Sequence, residues 1–303
     1  MAGQLRAIRQ KIKSVRSIAK ITRAQELIAT SRVSKARDRA HDAEPYAREI
    51  TRAASTLLTH HPHADHALLN RRPDTSRVAV LLVTGDRGFC GGYNHNVLRH
   101  AEALAALLRR QGKEPVFYVT GRKGIEWYRF RGRPTVRVWQ GASGAPVYDV
   151  AAEIGRTLAT AYDTPTAEGG VGEVHVVFTE FVSMLTQRTV VRRLLPIEVE
   201  EREAPQGHEP PVRAPFAFEP SAGVVLDVLL HKYVDARIWH ILLISAAAEH
   251  AARRTAMTAA TDNARQLIGA LTRQANEARQ AEITTELTEI VGGAAALAAS
   301  NRD

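Results

Sequence analysis

Helix breakers are scarce at both ends of this chain, and that scarcity restricts its fold more than any other feature. From Gln4 to Leu58 there is one proline, Pro45, and no glycine; from Leu226 to Asp303 there is no proline. Leu5, Ile8, Ile12, Val15, Ile18 and Ile21 fall at three- and four-residue steps, the seam of an amphipathic helix, with Lys and Arg on the other face. Pro45 is expected to kink or interrupt this helix, because it removes a backbone donor and crowds the preceding turn. At the other end Ala260, Ala264, Leu267, Leu271, Ala275 and Ala278 form one seam. After a one-residue slip, Ile283, Leu287, Ile290, Ala294 and Leu297 form a second. An unbroken helix from Leu226 onward would be on the order of 100 Å long. Neither helix can bury its seam alone, so the spacing predicts that the two ends pack along each other. Nine of the nineteen residues Ala246–Ala264 are alanine, which favours helix and permits close approach.

Between the ends the pattern changes. Val78–Val83 is a continuous apolar run, as expected of a strand buried on both faces. A glycine-rich turn (Gly85–Asn94) and a helical stretch (Val97–Arg110) follow. Then come a strand (Val116–Thr120), a short helix (Ile125–Phe130), a strand (Thr135–Trp139), a helix (Val150–Tyr162) and a strand (Val174–Thr179). Alternation of this kind predicts a mostly parallel sheet flanked by helices. Thr164–Gly172 reads as a loop, and residues 205–220, with five of the thirteen prolines, as a linker.

Composition narrows the function. The longest apolar stretch, Ile238–Ala248, is too short to span a bilayer and contains His240. One cysteine, Cys90, excludes an internal disulfide framework and a Cys-rich metal site. The net charge is +9, and residues 1–40 alone hold eleven Lys or Arg against Glu26 and Asp38. Such a segment calls for an acidic partner: nucleic acid, an anionic membrane or an acidic protein surface. A basic, acid-poor first 25 residues also describes a transit peptide, but the seam runs on with no cleavage-like break. Nucleic-acid binding lacks support, since the first aromatic is Tyr46 and no zinc-finger or RNA-binding signature is present.

Candidate chemical sites are weak. Thr84–Asn94 follows a buried strand, where nucleotide loops sit, yet matches neither G-x-G-x-x-G nor G-K-[ST], so a structural turn is the better reading. Cys90 has no neighbouring base in sequence and reads as a packing residue. His60, His61, His63 and His66 could hold a metal, but they lie in a polar connector with no matching ligand cluster elsewhere in sequence. Glu286 and Glu289 stand three apart on one helix face. Paired carboxylates can be an acid/base pair. With no His beside them, they read as contacts for a basic partner. The expectation is therefore no catalytic residue, no cofactor and no metal.

The most specific run is Ile283-Thr-Thr-Glu-Leu-Thr-Glu-Ile-Val-Gly-Gly-Ala-Ala-Ala296. It resembles the signature of the gamma subunits of F-type, proton-translocating ATP synthases, in particular bacterial ones. The resemblance continues through Glu249, Ala252-Arg253, Ala256-Met257, Ala260–Ala264 and Asn276–Ala281. It extends to Ile8–Val15 and Lys20–Ala24 of the opening helix, to Asp86–Asn94, and to Phe216–Ser221. One departure is Gln25, where the family commonly has methionine; another is a somewhat longer Thr164–Gly172 loop. The tail Ala298–Asp303 extends past the signature and has no assigned role.

The resemblance implies an antiparallel coiled coil of the N- and C-terminal helices with an inserted Rossmann-like α/β domain. In residues, this is an N-terminal helix (1–59), a connector (60–76), the α/β domain (77–204), the linker (205–220) and a C-terminal helix (221–303). It implies a non-catalytic central-stalk rotor at the cytoplasmic face of the plasma membrane. Such a rotor passes torque between the proton-driven c-ring and an alpha/beta hexamer, and influences the regulation of ATPase activity. Partners would be the alpha, beta and epsilon subunits and the c-ring, with no nucleic acid, no homo-oligomer, and membrane contact only through the complex. By resemblance, Arg279, Gln280, Thr284 and Glu289 would meet beta-subunit loops, and Phe216, Phe218 and Glu219 would form the foot on the c-ring. Arg9, Lys13 and Lys20 would face acidic collar surfaces. The competing readings are a basic coiled-coil nucleic-acid binder, which would show steep salt dependence, and a nucleotide-dependent enzyme, which nucleotide would stabilise thermally.

Overall fold

The structure is a computed structural model that describes residues 2–60, 66–70, 72, 75–197, 219 and 221–300. The elements are α1 (Ala2–His60), β1 (Arg77–Val83), α2 (Tyr93–Arg110), β2 (Glu114–Thr120), α3 (Arg122–Phe130), β3 (Arg137–Trp139), α4 (Tyr148–Asp163), β4 (Glu173–Phe181), β5 (Gln187–Leu195) and α5 (Ala222–Ser300). The chain divides into two compact units: residues 1–28 with 254–303, and residues 29–253. α1 runs through Pro45 as one helix, so the expected interruption is not found.

In the first unit the ends of α1 and α5 pair in opposite directions. Leu5, Ile8 and Ile12 pack with Ile268, Leu271, Ala275 and Ala278, while Thr22 lies against Thr261, further along α1 and further back on α5. The buried line departs from the apolar pattern in an instructive way. Ile18 and Ile21 are exposed, and Thr22 and Glu26 are buried in their place. On α5, likewise, Leu267 is exposed and Thr261 buried. A line that steps three and four must keep facing its partner, and here the facing positions carry polar residues. They are satisfied in pairs: the Thr22 and Thr261 hydroxyls lie 2.7 Å apart, and Arg23 Nη1 donates to Glu26 Oε1 at 2.8 Å.

In the second unit the sheet order is β3-β2-β1-β4-β5, parallel except for β5, which runs antiparallel to β4. Alternation along β1 sorts the core into two layers. Val78, Val80 and Leu82 face α2 and α3, packing on Val97, Ala101, Ala105 and Tyr128. Ala79, Leu81 and Val83 face the other layer, which holds Ile154 and Leu158 of α4, Leu57 of α1 and Leu226, Leu230 and Val234 of α5. β5 is missing from the sequence reading. Its run, Gln-Arg-Thr-Val-Val-Arg-Arg-Leu-Leu, shows no clean apolar alternation, because an edge strand needs to bury only part of one face.

The Thr164–Gly172 loop is held closely. It contains a short 3-10 turn at Thr166–Glu168, and Val171 N–H donates to Ala161 O at 2.9 Å. Arg72 Nη1 reaches the Thr164 carbonyl at 3.0 Å, while Arg77 Nη1 donates to the Gly169 carbonyl.

Candidate functional site

Two regions carry the residues that the sequence singles out, one in each unit. In the second unit the glycine-rich segment after β1 is a tightly bonded turn. Asn94 Oδ1 accepts the Gly85 N–H at 2.7 Å. The Asp86 carboxylate accepts three backbone N–H groups, from Arg122, Gly141 and Ser143, at 2.9–3.0 Å. Burial by itself would raise the Asp86 pKa, and these donors outweigh it and hold the carboxyl below its ordinary range. Asp86 thus caps the start of α3 and ties it to the segment after β3. Gly121 makes the packing possible: its φ is +94°, and a Cβ there would stand 2.0 Å from the Thr84 carbonyl oxygen. Cys90 is buried with Tyr93 and Ala248, and burial raises its thiol pKa, so it is a packing residue rather than a nucleophile.

One face of α5 clamps this turn. Arg253 donates to Glu249 Oε1 at 2.6 Å and to the Gly88 carbonyl at 3.2 Å. His250 Nε2 donates to the Gly144 carbonyl at 2.8 Å, and its Nδ1 receives Arg253 Nη1 at 3.2 Å. Burial and the adjoining guanidinium keep this imidazole neutral, with its pKa below the ordinary value. Glu249 packs against Gly85, where a Cβ would come within 3.0 Å of its carboxyl carbon. Glu249 Oε2 is buried with no hydrogen-bond partner among the described residues. Beside the clamp an open cleft of about 430 Å3 is lined by Arg32, Lys35 and Arg39 of α1 together with Arg87, Arg122 and Arg253. Cations so placed suit carboxylates of a polypeptide better than proton transfer. The charge tally over residues 1–40 pointed towards this face of α1 without distinguishing Arg32, Lys35 and Arg39 from Arg9, Lys13 and Lys20.

In the first unit Arg9, Lys13 and Lys20 are exposed along α1. Arg279, Gln280, Thr284 and Glu289 are all exposed on α5. Thr284 Oγ1 donates to the Gln280 carbonyl at 2.9 Å, so these two share a face. Glu289 lies seven residues beyond Glu282, on the continuation of the line Ala275, Ala278 and Glu282, and therefore on a different side of the helix from Gln280 and Thr284. The slip in the apolar pattern now has a cause. Up to Glu282, α5 keeps a side towards α1; from Ile283 onward its apolar residues turn by about 100°, away from that line. Ile283, Leu287, Ile290 and Val291 are all at least 45% exposed. Glu219 is exposed, while Phe216 and Phe218 lie outside the described residues. No helix is long and apolar enough to cross a membrane among the described residues.

An exposed helical end with mixed polar and apolar surface, and an α/β domain whose loop donors are engaged internally, define a protein that works through contacts with partners rather than through a catalytic pocket. The family model described as ATP synthase matches residues 4–297. The chain is 54% identical to the ATP synthase gamma chain of Acidothermus cellulolyticus, with all of both chains covered. It is 52% identical to that of Thermobifida fusca, with 99% of each covered. Among solved structures, a chain of the Euglena gracilis mitochondrial ATP synthase (OSCP/F1/c-ring) superposes with a TM-score of 0.70 at 14% identity, covering 100% of this chain and 97% of that one. A chain of the Tetrahymena thermophila mitochondrial ATP synthase central stalk and c-ring gives 0.57 at 19% identity, covering 79% and 99%. This protein belongs to the ATP synthase gamma-chain family, the central-stalk subunits of F-type ATP synthases.

Proposed function

We propose that this chain is the rotor of its ATP synthase, carrying torque between a proton-driven c-ring and an alpha/beta hexamer whose beta subunits hold the catalytic sites. The observation that carries this reading is the end of α5. Past Glu282, every residue whose side chain is described is exposed, and the apolar stripe faces away from the line along which α5 packs on α1. Such a surface needs an external partner. A surrounding ring whose subunits each meet a different side of one asymmetric helix supplies it, and biases each subunit differently between open and closed states.

On this reading Arg279, Gln280, Thr284 and Glu289 engage beta-subunit loops from different sides. Arg9, Lys13 and Lys20, with the basic cleft at Arg32, Lys35 and Arg87, meet acidic surfaces of the same ring. Phe216, Phe218 and Glu219 form the foot on the c-ring, and the epsilon subunit binds the α/β domain. The complex holds the chain at the cytoplasmic face of the plasma membrane, and the chain influences the regulation of ATPase activity. The domain partition expected from sequence goes with these roles: helices 1–59 and 221–303 as shaft, 77–204 as the partner-binding body.

The test is affinity purification of the tagged chain from its own cells, followed by ATP synthesis measurements on the recovered membranes. Alpha, beta, epsilon and c subunits should co-purify, and membranes lacking this chain should make no ATP. A chain recovered as a monomer free of those subunits overturns the proposal.

A further inference from the structure

The connector before the sheet, the end of α4 and the first turns of α5 bring four metal-ligating side chains of the second unit together. His66 Nε2 lies 3.1 Å from Asp227 Oδ1. His231 follows Asp227 by one helical turn, and its Nδ1 donates to the Asp227 carbonyl at 2.8 Å. That bond fixes the tautomer and leaves Nε2 with a free lone pair, 3.9 Å from Asp163 Oδ2. A histidine whose far nitrogen is tied to a backbone carbonyl is the arrangement that orients metal ligands. One ring nitrogen of each of His66 and His231 and one carboxylate oxygen of Asp227 lie within 4.8 Å of one another, with Asp163 outside that set, and His231 Nδ1 stands 3.6 Å from Asp227 Oδ1. A tetrahedral ion with bonds of about 2.0–2.2 Å needs its ligands about 3.4 Å apart, so the side chains of His231 and Asp163 must turn inwards to complete the site. Two carboxylates also balance a divalent charge.

We propose that His66, Asp227 and His231, completed by Asp163, bind one zinc-class divalent ion that ties the connector and α4 to the start of α5. Two imidazoles and two carboxylates suit zinc better than magnesium or calcium, which prefer all-oxygen sets. Binding demands one rearrangement. His66 Nδ1 now accepts the Leu68 N–H at 3.1 Å, which places the ring proton on Nε2, facing Asp227. With zinc on Nε2 that proton sits on Nδ1 instead, and the amide of the buried Leu68 gives up that acceptor, a cost that zinc binding must exceed. His231 needs no such change.

The site was invisible in sequence because its ligands stand up to 165 residues apart, as His66 and His231 show. The neighbouring His60, His61 and His63 offer a rival zinc site, and the test separates the two. Metal-free full-length chain is titrated with zinc chloride by calorimetry, and the cobalt(II) form is examined for the intense visible bands of tetrahedral coordination. The proposal expects one equivalent of zinc, tetrahedral cobalt bands and a raised melting temperature. Binding should weaken at least tenfold in His231→Gln and in Asp227→Asn, each of which removes a direct ligand. It should persist when His60, His61 and His63 are all changed to Gln. Circular dichroism in chelator confirms that each variant is folded. Undiminished zinc affinity in His231→Gln, loss in the triple variant, or no binding by the unaltered chain overturns the site.

Discussion

Arg253 is the side chain on which the clamp around the glycine-rich turn depends. It is nearly buried, and so is its partner Glu249, so removing the guanidinium leaves a carboxylate desolvated without a counter-charge. Breaking a buried pair in this way costs about 3–5 kcal/mol. Arg253→Met should lower stability by that order in chemical denaturation, and adding Glu249→Met should recover a large part of it; strictly additive losses would show that the two residues act independently. His250 gives the clamp a pH dependence. Its folded pKa is lowered by burial and by Arg253, so the unfolded chain binds a proton first as pH falls. The stabilisation is complete above the ordinary imidazole value near 6.5 and is lost as pH falls towards the folded value. His240, half-buried beside Arg237, adds to the same window. The melting temperature should therefore drop between pH 7 and 5.5, and His250→Gln should flatten part of that slope.

The paired helices place their strongest test in two isoleucines that the apolar pattern treats alike. Ile12 is buried against Ala275, whereas Ile18 is 50% exposed. Ile12→Ala should destabilise by about 2–4 kcal/mol, and Ile18→Ala by no more than about 0.5 kcal/mol. Equal effects would place the seam where the apolar residues alone suggest. Much was legible at this scale. Two ends poor in helix breakers predicted two long helices, and the run Val78–Val83 predicted a strand buried on both faces. Elsewhere the signal failed for physical reasons. Thr22 and Glu26 hide in the seam because a neighbouring hydroxyl and guanidinium satisfy them, so hydrophobicity does not report their burial. β5 hides because an edge strand can carry three arginines. Pro45 sits inside α1 although its ring removes a donor. Of the candidate sites, the exposed acids of α5 could be read directly from the signature, but the basic cleft needs α1 and the glycine-rich turn brought side by side.

For the whole molecule, the decisive prediction concerns Glu289. It is exposed, it continues the α1-facing line beyond Glu282, and no basic group of this chain is paired with it among the described ion pairs. Glu289→Lys should leave the melting temperature of the free chain within about 1 °C of the parent, as expected for a surface change of under 0.5 kcal/mol. It should reduce ATP synthesis in membranes well below the parental rate at equal amounts of assembled complex. Normal synthesis would remove this residue from the rotor's working surface. The end of α5 has a mechanical consequence as well. Up to Glu282 it is braced by α1, and from Ile283 to Ser300 it is one helix thick, with nothing packed along it among the described residues. A rod's resistance to flexing rises steeply with its width, so under load deformation concentrates in those last five turns while the braced part stays stiff. On the proposed reading, the residues that meet the ring would then also act as its spring, yielding slightly at each step and returning the work when the next contact forms.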